Sequence, residues 1–472
     1  MVFSSLTFIC VFLPVVFLLY YLIPTIQGKN FLLTIASFLF YAYGEPIYVI
    51  LMFASCLFNY GISRMIVHQR RRIFVALAVI LNLSMLGVFK YTGFVLQTCD
   101  TLLGMNIDIP EISLPVGISF FTFQALSYVI DVYRQPELGQ KNFLNVLIYI
   151  SFFPQLIAGP IIKFHDVVLQ IRCRRHCPEE IALGICRFSK GLAKKVLIAN
   201  TMAVIADDIF AMTGSQLNVF SAWLGAIAYA LQIYYDFSGY SDMALGMAQM
   251  FGFHFEENFN TPYVADGIQD FWHRWHISLS TWFKEYLYIP LGGNRRGRVR
   301  TIINRYIVFF CTGLWHGANW TFVLWGLLHG TLLVIENTRV SIQRIRYKWV
   351  RQLLTFIMVV CAFVIFRAET IKYAAYYFKV MFTGFYWTDE SMLILWRNLV
   401  PMNICMIIVG VLCMHSWESF RSRINVSLVR LANSKAEYFM MAGKYVITLM
   451  LLFLSMLNLA SNVYNPFIYF RF

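Results

Sequence analysis

The sequence predicts an all-α, polytopic integral membrane protein, with roughly 11 transmembrane helices and further re-entrant or interfacial helices. Three observations predict it. Of 472 residues, 59% are hydrophobic and 13% charged, about half the charged share of a typical soluble chain. Mean hydropathy is +0.64. Apolar stretches approaching the ~20 residues of a membrane helix recur along the whole chain. A water-soluble globule is excluded. So is intrinsic disorder, which needs low hydrophobicity and high charge density.

Taken in order, the apolar segments fall near 5–24, 31–43, 47–66, 73–92, 115–131, 143–160, 183–210 and 218–234. After a polar interval they resume near 302–333, 350–367, 372–384, 400–415 and 442–460. Some are too short to span alone. The first enters Leu6 to Tyr21 without a basic leader or a small-residue cleavage site, and is expected to be a retained span. The segment 143–160 carries Pro154, Gln155, Gly159 and Pro160, so it is expected to be broken or re-entrant. Irregular backbone at membrane depth survives only where protein or a water-filled cavity covers it, which hints at an internal site. From about 251 to 300 polar and aromatic residues mix, too polar to face lipid and too aromatic for a solvated loop. Within it, helix-compatible residues run from Ile268 to Tyr288 and stop at Pro290 and Gly292-Gly293, predicting an amphipathic or interior helix near an interface. No repeat, heptad array or low-complexity tract is visible, and no stretch between spans is long enough for a soluble domain. The chain is read as a single transmembrane domain, 1–472.

The net charge of +14 fits Lys and Arg gathering in cytoplasmic loops beside anionic lipid. Lys29, Arg70 to Arg72, Arg134 with Lys141, and Arg172 to Arg175 all reach the cytoplasm if the N-terminus starts outside the cell and 143–160 dips in and returns. Arg339 to Arg351 and Arg421 to Arg430 are further candidates for that face. A nucleic-acid partner is not expected, because no basic stripe with interleaved aromatics lies outside the apolar segments. The ten Cys are scattered, several inside apolar segments where they act as small hydrophobes, and imply no disulfide framework. Cys173, His176 and Cys177 cluster among Arg172, Arg174 and Arg175, but three candidates in a basic loop make a poor metal site, and no metal is expected.

Most of the nine His have ordinary explanations: His68, His165 and His176 sit in basic loops and His415 at a helix end. Two contexts stand out. His316 lies inside an apolar segment, flanked by Gly313, Gly317 and Ala318, which leave room beside its ring. An ionisable residue at membrane depth is a functional candidate by default, against the plainer reading of a hydrogen-bonded core histidine. His329, 13 positions on, is read as structural, although that spacing allows it to share a helical face with His316. The second context is Trp272-His273-Arg274-Trp275-His276, where His273 and His276 are expected on one helical face. Two His alone do not make a catalytic zinc site, whereas an imidazole suits acid/base work near neutrality. Phosphate-cradling, dinucleotide and nucleophile-elbow motifs are absent. These residues alone fit either an enzyme acting on membrane-delivered substrates or a transporter with a buried proton relay, although no internal repeat of the transporter kind is seen.

A series of blocks then carries a resemblance. They are Ser37 to Pro46 (SFLFYAYGEP), Leu114 to Gln124 (LPVGISFFTFQ), Phe152 to Pro160 (FFPQLIAGP) and Tyr235 to Asp242 (YDFSGYSD). Trp272 to Gly293, Leu314-Trp315-His316-Gly317, Phe366-Arg367-Ala368 and Asn465 to Phe470 complete it. In these the sequence resembles the membrane-bound O-acyltransferase superfamily, in its bacterial alginate O-acetylating branch. The family's essential His matches His316, and its second polar position, which is Asn, Asp or His in different branches, matches His276. The resemblance implies acyl transfer from a thioester donor, acetyl-coenzyme A or another acyl thioester, to a hydroxyl, with no bound cofactor. His316 would serve as base, and His276 would orient the site or stabilise the oxyanion with Trp275 or Asn319 nearby. Arg274 is a further candidate for substrate binding. A membrane-depth site would also exclude water from the thioester. The acceptor implied is a cell-surface polysaccharide such as alginate, reached through a central tunnel, with Gln155, Asp236 and Ser238 near its walls. Helix-to-helix hydrogen bonding is the competing reading of those three. Peptidoglycan O-acetylation and teichoic acid D-alanylation would look similar. The resemblance also implies a separate extracytoplasmic acetyltransferase as partner, and places the chain in the plasma or inner membrane.

Overall fold

The computed structural model describes residues 1–157, 159–338, 341–414, 434–461 and 467–468. His415, the basic run Arg421 to Arg430, Arg339, Ala158, and Asn465, Pro466, Tyr469 and Phe470 of the closing block lie outside the described residues. Among those described, every regular element is helical, as the composition predicts. Tyr48–His68, Arg72–Leu103, Lys348–Arg367 and Met441–Ser461 are each long and apolar enough to cross a membrane. Asp389–Asn398 and Pro401–Cys413, bent by 66°, make a fifth if the pair is one span. That number falls below roughly 11, a figure drawn from apolar length alone. The reason is visible, because several apolar segments are interrupted.

The segment 143–160 is broken as expected, into Phe143–Ser151 and Phe153–Leu156 with Phe152 between them. Its backbone finds side-chain partners at the break, as buried peptide groups must. The Phe153 N–H donates to Ser37 Oγ at 3.0 Å, and the Tyr149 carbonyl accepts from the Gln155 side-chain amide. The segment 302–333 is a hairpin rather than one helix: Arg298–His316 ends, Gly317 is extended, and Trp320–Glu336 begins under an Asn319 cap. Glycines make its close packing possible. A Cβ on Gly326 would stand 2.2 Å from the Phe309 carbonyl oxygen, and one on Gly313 2.4 Å from that of Phe322. Gly326→Val is therefore expected to cost at least the usual 1–3 kcal/mol of overpacking, roughly, since backbone cannot step aside. The check is a fall in melting temperature and in monodisperse yield in detergent; unchanged values would show that the hairpin opens without penalty.

The chain divides into two compact units. The first comprises Met1–Phe188, Ser241–Glu257 and Lys284–Leu287. Phe3, Phe8 and Phe40 are fully buried there, with Phe153 packed on Phe8 and Phe40. Asn59 and Asn82 exchange amide hydrogen bonds at 3.2 and 2.8 Å between neighbouring apolar helices, the polar glue that lipid-embedded helices use in place of hydrophobic drive. His176 meets the Tyr20 hydroxyl while the Cys177 thiol faces Glu179, so the cysteine and histidine of this loop point to different partners.

The second unit comprises Ser189–Tyr240, Asn258–Phe283 and Tyr288–Phe472. A π-helical turn, Lys194–Ala199, presents Lys195 to Asp236, a local widening of the helix of the kind often found at functional positions. The expected helix from Ile268 to Tyr288 is in fact three pieces: Ile268–Arg274, Ile277–Phe283 and a π turn Lys284–Tyr288. The first break falls at Trp275 and His276.

Candidate active site

The break at His276 is built by hydrogen bonds to a distant loop. Asn260 N–H donates to the Arg274 carbonyl and Ile277 N–H to the Asn258 carbonyl, both at 2.9 Å. These bonds pull the chain out of helical register for two residues: Trp275 is extended and His276 takes φ = 44°. The left-handed region costs an L-residue about 1–2 kcal/mol, so the turn is held by its partners. The helix resumes when Ser280 N–H donates to the His276 carbonyl. As a result His273 is exposed and His276 fully buried. The shared helical face expected for the two does not exist.

His276 Nδ1 lies 3.2 Å from Asn258 Oδ1. That oxygen also receives the Ser278 backbone N–H at 3.2 Å and the Ser278 hydroxyl at 2.8 Å. A backbone N–H can only donate, so the Asn258 atom facing it is the carbonyl oxygen. An imidazole nitrogen that bonds this oxygen does so as donor, so the geometry favours a hydrogen on Nδ1 and a lone pair on Nε2 in neutral His276; the Ser278 hydroxyl lies 3.4 Å from the same nitrogen. Nε2 is buried and has no hydrogen-bond partner among the described residues. In this tautomer His276 offers the site an acceptor; the oxyanion-donor role requires the protonated ring. Phe237 packs edge-on against it at 4.6 Å between centroids.

His316 is the last residue of its helix and 5% exposed. Trp315, Trp325 and Phe366 surround its ring at centroid distances of 5.1, 5.1 and 5.2 Å. The His276 and His316 centroids are 6.5 Å apart, a spacing compatible with one oxygen bridging both rings by hydrogen bonds of about 2.6–3.2 Å. His329 is on the other arm of the hairpin, so no helical face joins it to His316; its Nδ1 accepts from Trp272 Nε1 at 3.3 Å.

The remaining candidates separate. Trp275 is buried in an aromatic wall with Phe259, Phe271 and Phe363. Arg274 pairs with Asp270 at 2.8 Å and reaches Asn260 and Thr261, bracing the loop that carries Asn258. Asn319 is committed at both ends: Oδ1 caps Thr321 N–H, and Nδ2 donates to the Glu369 carbonyl. Asp236 forms a buried ion pair with Lys195 at 2.7 Å and accepts the Ile468 N–H at 2.8 Å, the bonding of a structural joint. Ser238 is buried, and its hydroxyl has no partner among the described residues. Gln155 belongs to the first unit, where its amide donates to the Tyr149 carbonyl. The sequence reading passed over Asn258 and Ser278. Asn258 stood in the polar-aromatic stretch, but only the fold brings it to the imidazole.

The family model described as membrane-bound O-acyltransferase family matches residues 79–375. Relatives agree with it. A probable alginate O-acetylase of Azotobacter vinelandii is 38% identical over 502 residues, covering 100% of each chain. A peptidoglycan O-acetyltransferase of Helicobacter pylori is 38% identical, covering 81% of this chain and 80% of its own. A teichoic acid D-alanyltransferase of Bacillus subtilis is 28% identical over 50% of this chain and 61% of its own. The match takes in His276, His316 and the turn that sets them facing each other, and with these relatives it shows that the chain belongs to the membrane-bound O-acyltransferase family.

Proposed function

We propose that this enzyme moves an acetyl group from a cytoplasmic thioester, coenzyme A or a carrier, to hydroxyls of a cell-surface polysaccharide such as alginate. The observation that carries the reading is the buried pair of imidazoles, His276 and His316, 6.5 Å apart in an aromatic, water-poor setting. His316 takes the proton of the acceptor hydroxyl as its oxygen attacks the thioester carbonyl. The tetrahedral adduct then collapses, the carbon–sulfur bond breaks, and the proton passes to the leaving thiolate. His276, with Nε2 as acceptor, receives the His316 N–H and so keeps the lone pair of the other His316 nitrogen for the hydroxyl. Trp275 walls the site, while Arg274 and Asn319 position the elements around it. Dry surroundings protect the thioester from hydrolysis. No bound cofactor enters this scheme.

The names of the relatives support a polymer acceptor, two of them naming acetyl as the group moved. The family match includes residues of both units, which supports one functional domain. We place the protein in the inner membrane with its N-terminus outside the cytoplasm, from the basic loops, and with an extracytoplasmic acetyltransferase completing delivery through a tunnel. Ser238, whose hydroxyl has no partner among the described residues, is read as a wall position of that tunnel, whereas Gln155 and Asp236 are committed to bonds within their own units. The test is reconstitution in vesicles with labelled acetyl-coenzyme A inside and alginate outside, with the partner supplied. Label appearing as base-labile ester on the polymer supports the reading; movement of polymer precursor without ester formation overturns it.

A further inference from the structure

Two cations are buried in the first unit with no carboxylate paired to them among the described residues. Lys29 and Arg174 are each 8% exposed, and neither makes a salt bridge among the described residues, whereas Lys163 and Arg187 of the same unit each do. Lys29 stands in the first turn of the helix Ile26–Ala42, which holds no acidic residue. A helix N-terminus carries positive partial charge, so a lysine there adds to a field it should oppose. Arg174 is fixed by its neighbours: Nε donates to the Tyr20 hydroxyl and the Phe251 carbonyl, Nη1 to Asn30 Oδ1 and the Gln170 carbonyl. Its Nη2 is buried and unpartnered among the described residues. Lys29 lies over the Tyr20 ring at 4.9 Å and the Tyr21 ring at 5.3 Å. Ring faces offset only part of the cost of burying an ammonium.

The field is felt locally. Burial, then the charges of Lys29 and Arg174, push the nearby His176 imidazole down to about 4. Exposed Arg172 and Arg175 flank the spot and extend the positive potential outward, where it steers anions. The open valences also have a shape. Both cations lie against the Tyr20 ring, the Lys29 ammonium at 4.9 Å and the Arg174 guanidinium at 5.6 Å from its centroid, and with Nε and Nη1 engaged only Nη2 is left open among the described residues, so a planar carboxylate finds no bidentate seat. A tetrahedral group with oxygens in several directions does, and phosphate at a helix N-terminus is a recurrent arrangement.

We propose that Lys29 and Arg174, with the N-terminus of the helix Ile26–Ala42, form a binding site for a phosphate ester. Two sources share that chemistry: the phosphates of a coenzyme A-type donor and the headgroup of an anionic lipid. The site stands apart from the reading of the histidines, since all its residues belong to the first unit.

The test uses the full chain, delipidated in non-ionic detergent, with coenzyme A, pantetheine (the same thiol arm without phosphate) and phosphatidylglycerol as probes, followed by native mass spectrometry. Wild type is expected to bind coenzyme A more tightly than pantetheine, or to retain phosphatidylglycerol, and competition between the two assigns the source. Lys29→Gln is expected to weaken the phosphate-dependent binding about tenfold, and Lys29→Arg to restore most of it. Among the described residues the Lys29 ammonium touches only the Tyr20 and Tyr21 rings, so the variant is read only alongside an unchanged melting temperature in the absence of probe. His316→Ala should bind both probes like wild type, which separates this site from the catalytic assignment. If Lys29→Gln binds both probes as wild type does, or if wild type neither prefers coenzyme A to pantetheine nor retains phosphatidylglycerol, the proposal fails.

Discussion

Replacing His316 by glutamine is expected to lower acetyl transfer by about 10²–10⁴-fold, the range a positioned general base supplies, while leaving the fold intact. Glutamine keeps much of the volume among Trp315, Trp325 and Phe366, and it can hydrogen-bond, but it cannot take a proton and give it back. Alanine should abolish transfer at least as fully, at the added cost of a cavity beside three large rings. The measurement is the initial rate of ester formation on the polymer, with size-exclusion profiles of both variants matched to wild type. Because the proton moves during attack on the carbonyl, the loss should fall on kcat and leave binding of the thioester nearly unchanged. Undiminished transfer by the glutamine variant would remove His316 from the proposed mechanism.

The second large effect is expected at Asn258. Its carbonyl oxygen holds the hydrogen on His276 Nδ1 and so keeps the lone pair on Nε2. Asn258→Leu removes the acceptor, leaves the Ser278 N–H and hydroxyl without their shared partner, and lets the imidazole choose the other tautomer. A loss on the order of 10–100-fold is expected, as for other residues that orient an imidazole. Asn258→Asp retains an acceptor for all three donors and should recover much of the rate. A merely structural role predicts the reverse ranking, since leucine preserves apolar packing and a buried carboxylate does not. Equal rates for both variants and wild type would show that the tautomer is set elsewhere.

Membrane character and the interrupted segment 143–160 were legible because composition and proline placement act locally. His316 stood out as an ionisable group in apolar context, whereas His276, in a polar and aromatic stretch, stood out through the resemblance. The single helix expected through His276 was not found, since periodicity registers which residues can be helical and is blind to a loop that withdraws hydrogen bonds from them. Asn258 and Asn260 supply that loop. The hairpin at Gly317 was hidden for a related reason: both arms are apolar, and the turn between them is three residues long in Gly317, Ala318 and Asn319. That Lys29 and Arg174 both lie against Tyr20 was beyond reach, because residues so far apart in sequence come near one ring only through the packing of the helices between them.

The left-handed backbone at His276 also limits what evolution can place there. With φ at 44°, β-branched and bulky residues are nearly excluded, while Asn, Asp and His are the side chains that enter this region most readily after glycine. Those three are the residues that the resemblance to the wider superfamily assigns to this position. The turn therefore admits a short menu of side chains at this position, and a substitution from outside that menu would have to unbend the chain between the two helices it joins.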